Sequence, residues 1–134
     1  MTQTVPYELL GGEEGVRTLC QTFYRIMDEA DEAQDIRKMH NADLSPMAEK
    51  LFDYLSAWLG GPPIYQEKTG GMCITAPHSP YEIGEKERDQ WLLCMNRALE
   101  ETGASQEVKD MLETPLFRVA DMLRNKTEPD TKGV

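Results

Sequence analysis

The chain has 134 residues, with 24 acidic against 14 basic side chains and a net charge of −10. Such a chain is one domain in length and buries roughly two-thirds of its unfolded surface, so it needs no disulfide or structural metal to hold a core. The acidic balance excludes an electrostatic nucleic-acid binder or a binder of anionic membranes, both of which require a basic face. The longest apolar run, Trp91 to Met95, is far short of the roughly 20 residues of a membrane span. No secretory signal pattern opens the sequence. Cys20, Cys73 and Cys94 are an odd number without CxxC spacing, which points to a reducing, cytoplasmic setting.

The first long helix is expected from about Glu13 to Glu29. Val16, Leu19, Cys20, Phe23 and Met27 recur at three- and four-residue steps on one face, with Tyr24 at its edge. A helical turn follows near Ile36 to Met39. Ser45-Pro46 reads as an N-cap with proline at the first helical position. Met47, Leu51, Tyr54, Leu55 and Trp58 form the next stripe, ended by Gly60-Gly61-Pro62-Pro63. Ile64 to Ile83 shows no sustained period and reads as a loop of about 20 residues, long enough to be functional. Within it, Ser79-Pro80-Tyr81-Glu82 has the form of a capping box.

A fourth helix is expected over Glu85 to Thr102, with Trp91, Met95, Ala98 and Leu99 inward. Ser105 caps the last, whose inward face is Val108, Met111, Leu112, Leu116, Val119, Met122 and Leu123. Pro115 should kink or break it. No segment alternates like a strand. The fold class is all-α: four main helices and one long loop, in a single domain over residues 1–126 with a flexible tail over 127–134.

Among candidate functional residues, His78 stands out as one of two histidines, in a proline-bracketed loop. Imidazole ligates transition metals and haem iron. Taken alone, His78 reads first as an exposed loop residue. A zinc site from Cys73, His78 and Cys94 matches no zinc spacing. A Cys-His nucleophile pair lacks an orienting third group, and no phosphate-cradling glycine loop is present. Tyr24, His40 and Trp91 each read, singly, as amphipathic packing.

Read together, the residues are more specific. Phe23-Tyr24, Asn41 to Leu44, the LGGPP run from Leu59 to Pro63 with Ile64-Tyr65, then His78 with Pro80-Tyr81, and Asp89 to Leu92 lie in a fixed order. His78 falls 15 residues beyond the last proline of LGGPP and Trp91 another 13 beyond that. This constellation resembles the truncated haemoglobins of the second group, over about residues 7 to 125. The resemblance implies a two-over-two helical sandwich around haem b that binds O2, NO and CO.

It also implies roles. His78 would be the proximal iron ligand. Tyr24 and Trp91 would be the distal hydrogen-bonding pair, with His40 a third polar ring. Met47 and Leu51 would face the ligand from the distal helix, so that retention rests on the rings. Tyr65 would neighbour a haem propionate, and Tyr81 would lie in the proximal segment. The family often has basic residues one and three positions before the histidine; Pro77 and Thr75 stand there instead. Lys50, rotated about 100° from the haem-facing Leu51, is expected to supply propionate pairing. Redox chemistry on O2, NO or peroxide, as a NO dioxygenase or peroxidase with a reductase partner, fits such a pocket better than carriage. The rivals are a cofactor-free acidic helical interaction module and a non-haem metal protein.

Overall fold

A computed structural model of the chain describes residues 5–40, 42–70 and 81–125. Its helices are α1 (Pro6–Leu9), α2 (Gly12–Glu29), α3 (Gln34–Arg37), α4 (Ser45–Trp58), α5 (Ile64–Thr69), α6 (Glu85–Glu101) and α7 (Gln106–Met122), with a 3-10 turn at Asp31–Ala33. No strand occurs among the described residues. Helix α2 packs on both α4 and α6, and α6 packs on α7. The result is two helix pairs, α2 with α4 and α6 with α7, joined face to face: the two-over-two sandwich.

The apolar stripe of α2 explains its central place. Val16, Leu19, Cys20, Phe23 and Met27 are all buried and meet Met95, Ala98 and Leu99 of α6 in one core. Exposed ion pairs, Arg17 with Glu49 and Arg25 with Glu101, lie across its flanks. Each contributes little, on the order of 0–1 kcal/mol; the core residues carry the packing.

The LGGPP run has a packing reason. Gly60 adopts a left-handed φ of 99°, which glycine takes without steric cost. A Cβ on Gly61 would lie 2.5 Å from the Tyr7 ring, and the Tyr7 amide donates to the Leu59 carbonyl at 3.0 Å. The end of α4 therefore has to be bare for α1 to dock on it.

Several expectations are corrected. Ser45 is the first residue of α4, not its cap; Leu44 holds the cap position without a side-chain bond, and the Asp43 carboxylate before it accepts from the Ser45 amide at 3.0 Å. The supposed loop after Pro63 begins with helix α5, which is too short to display a stripe and stops at Gly70, φ 87°. The buried Asp53 carboxylate joins it to α4, accepting from Lys68 at 2.8 Å. Tyr81 to Ile83 are not helical, and the box-like bond lies further on, where the Gly84 amide donates to Glu87 Oε1 at 2.8 Å. Helix α7 runs unbroken through Pro115. That residue is exposed, so the carbonyl deprived of its donor lies where water can serve it. Met111 and Met122 of α7 are 41% and 53% exposed, not inward. The Ser105 cap is as expected, its Oγ accepting from the Val108 amide at 3.2 Å. Residues 71–80, with Cys73, His78, Ser79 and Pro80, lie outside the described residues, as does the tail beyond residue 125.

Candidate functional site

A cleft of about 280 Å³ opens between the two helix pairs. Tyr24 of α2, His40 of the corner after α3, Met47, Lys50 and Leu51 of α4, Tyr65 of α5, Tyr81 and Trp91 of α6 all line it. The fold thus brings together the described residues to which the resemblance assigns a role; Cys94 of the rejected zinc set is in the core instead. His78 lies outside the described residues.

The polar rings form one connected wall. Phe23 meets Tyr24 edge-on with centroids 4.9 Å apart, and meets Trp91 at 5.3 Å. Tyr24 in turn meets His40 at 5.8 Å. Burial raises the Tyr24 pKa far above the ordinary phenol value, so its O–H is a neutral donor at any physiological pH. His40 Nδ1 lies 2.7 Å from the Ile36 carbonyl. A carbonyl only accepts, so Nδ1 carries the proton in the neutral ring. Neither the Tyr24 hydroxyl nor the Trp91 indole N–H has a hydrogen-bond partner among the described residues. Both residues line the cleft, so these two donors are open to an occupant.

The rest of the lining differs in character. Met47, Leu51, Trp58, Val119 and Leu123 are only half-buried, as befits side chains around an apolar occupant. Two cations reach the cleft. Arg88 is mostly buried, stacks over the Phe117 ring and pairs with Asp89 and Asp121 at 2.9 Å each. Lys50 is exposed and makes no ion pair among the described residues.

The sequence reading missed Glu87, Arg88 and Asn125. Glu87 and Arg88 stand four and three residues before Trp91, spacings that share a helix face, so the heptad around Trp91 carried a usable signal. Asn125 gave none. Its side chain donates to the Tyr81 carbonyl and accepts from the Ile83 amide at 2.8 and 2.9 Å, fixing the segment that carries Tyr81.

An all-helical two-over-two sandwich with an apolar cleft and inward-facing ring donors defines a haem globin as a class. A family model described as bacterial-like globin matches residues 5–125. Group 2 truncated hemoglobin YjbI of Bacillus subtilis is 32% identical over 128 residues, 96% of this chain and 94% of that one. The group II 2-on-2 hemoglobin of Agrobacterium tumefaciens superposes with a TM-score of 0.89 at 39% identity, covering 95% of this chain and 98% of that one. A truncated oxygen-avid haemoglobin from Bacillus subtilis gives 0.81 at 33% identity, over 91% and 100%. The chain belongs to the bacterial-like globin family, and within it to the group II truncated haemoglobins. It is a haem protein that binds O2.

The cleft fits that group. Haem is flat and apolar with an anionic edge. The half-buried walls would cover its faces, and Lys50 is a cation available to a carboxylate. Nothing in the fold supports the cofactor-free alternative. Among the described residues no three His, Cys, Asp or Glu side chains form a metal cluster, and no helix is long and apolar enough to cross a membrane.

Proposed function

We propose that this globin retains O2 through Tyr24 and Trp91, with His40 as a modulator, and uses it for redox chemistry with a second small molecule such as NO. His78 is the ligand that attaches the haem iron. Haem supplies reversible binding of a diatomic gas, which becomes partly negative at its outer atom. The observation that carries the reading is the pair of donors without a partner among the described residues, the Tyr24 O–H and the Trp91 N–H, on the wall of one apolar cleft. Each neutral bond contributes roughly 0.5–1.5 kcal/mol net, and more toward a charged acceptor. Strong retention delays release and leaves time for a second reactant to enter.

The apolar side chains Met47, Leu51 and Leu55 on α4 line the same cleft as these donors. They exclude water from the gas site and add no competing donor. Tyr65 and Lys50 hold the anionic edge of the haem. NO oxidation by bound O2 yields nitrate and leaves the protein ferric, one electron short. Turnover therefore requires a reductase, and the buried free thiols Cys20 and Cys94 suit a reducing cytoplasm. Mixing the oxygenated protein with NO is expected to give nitrate and ferric protein in equal amounts. Displacement of O2 without nitrate would overturn the redox reading and leave only gas binding.

A further inference from the structure

Three polar rings on three separate elements act on one small ligand only if their spacing is fixed. Hydrogen bonds weaken steeply with distance and angle, and errors of an ångström in a site are costly. The ring on the least regular element is His40, in the corner after α3. Its support comes from side chains far away in sequence.

Gln90 precedes Trp91 on α6. Its amide spans two groups of the corner. Nε2 donates to Asp35 Oδ2 at 2.8 Å, and Oε1 accepts from the Ile36 amide at 3.2 Å. The Ile36 carbonyl then accepts from His40 Nδ1 at 2.7 Å. The path from the Trp91 helix to the His40 imidazole is thus continuous: Gln90 side chain, Ile36 peptide, His40 ring. Both Gln90 bonds are partly buried, so water replaces them poorly. Asp35 also pairs with Lys86 at 3.2 Å; these two partners, Gln90 first, hold its carboxyl below the usual carboxylate range. A second tether runs to α2. Arg37 Nε donates to Asp28 at 2.8 Å, and its guanidinium reaches the Ala42 carbonyl at 3.1 Å. That pair is exposed and contributes less.

We infer that Gln90 is a positioning residue for the gas site: it ties the His40 corner to the Trp91 helix and thereby sets the distance between two of the three polar rings that line the cleft. The inference rests on the reading of His40 as a ring that modulates the bound ligand. Gln90 itself touches neither haem nor gas. Its amide is suited to the task because it donates and accepts at once; a carboxylate or an aliphatic side chain of similar size does only part of this.

The test compares Gln90→Leu in the native and the His40→Phe backgrounds, using haem-loaded protein. Stopped-flow O2 dissociation is expected to accelerate several-fold on Gln90→Leu in the native background and to stay unchanged when His40 is already Phe, because coupled residues are non-additive. Amide exchange at Ile36, read by NMR on the CO-saturated protein, is expected to quicken as its acceptor is lost. The same factor in both backgrounds, or no acceleration in the native one, would overturn the role. Gln90→Glu keeps the shape and the acceptor for Ile36 but sets a second carboxylate against Asp35. If the leucine variant fails to fold, Gln90→Glu undergoes the same O2-dissociation comparison with the same expectation, while Ile36 exchange is expected to stay slow. No change in O2 dissociation on His40→Phe alone would overturn both the His40 reading and this inference. A change there with none on Gln90→Leu would overturn this inference alone.

Discussion

The His40 ring stands edge-on to the Tyr24 ring, with centroids 5.8 Å apart and planes at 67°. The His40 Nδ1 proton is spent on the Ile36 carbonyl. Protonation therefore adds a donor at Nε2 of a ring that lines the cleft. Imidazole charge changes between about pH 5 and 8. O2 dissociation is expected to slow as pH falls through this range, and His40→Phe to flatten the profile. A profile that survives the substitution would exclude His40.

Lys50 and Arg88 are the cations lining the cleft, and they are not equivalent. Arg88 is committed to Asp89 and Asp121, whereas Lys50 has no acidic partner among the described residues. Lys50 is thus the side chain we propose as the partner of a haem propionate. An exposed pair is worth about 0–1 kcal/mol, so Lys50→Ala should still bind haem. Haem transfer to an acceptor apoglobin should quicken several-fold at low salt and less at high salt, where screening weakens the pair. Equal rates at low ionic strength would return Lys50 to a solvated helix face.

The buried thiols set an alkaline limit. Burial pushes Cys20 up to about 12 and Cys94 up to about 11, from an ordinary value of 9.0. Each stays protonated in the fold while its unfolded counterpart ionises. The unfolded state then binds fewer protons, so stability is intact below pH 9 and falls between pH 9 and the folded values. The slope is about 1.4 kcal/mol per pH unit for each group. Denaturant unfolding from pH 8 to 10.5 measures it, and Cys20→Ala is expected to make the decline shallower. Identical slopes for variant and native protein would show that Cys20 is not the source.

His78 as the iron ligand rests on its spacing from LGGPP and Trp91 and on family membership. His78→Ala is expected to lose haem, with rescue by added imidazole. A variant with an unaltered five-coordinate ferrous spectrum would refute the assignment.

The long helices were legible because each repeats apolar residues at three- and four-residue steps, and the buried face of α2 follows that stripe. Helix α5 was not, because six residues make less than two turns and its signals, Pro63 before it and Gly70 after, resemble those of a loop. Met111 and Met122 show the limit of periodicity: both continue the stripe of α7, yet the partner helices do not extend over them. The candidate rings were legible only through the family that the order of motifs along the chain resembles; singly each reads as packing. The groups that hold those rings were not. Gln90 meets Asp35 across 55 residues, and Asn125 meets Tyr81 across 44. Single polar contacts at such separations leave no local pattern.

The central claim is that Tyr24 and Trp91 donate to one ligand in the cleft. The decisive measurement is the O2 dissociation rate of the native protein, Tyr24→Phe, Trp91→Phe and the double variant. Each single change is expected to accelerate release, by about tenfold for every 1.4 kcal/mol lost. The double variant is expected to fall short of or exceed the product of the two factors, because the donors share one acceptor. Unchanged dissociation in both single variants would contradict the account.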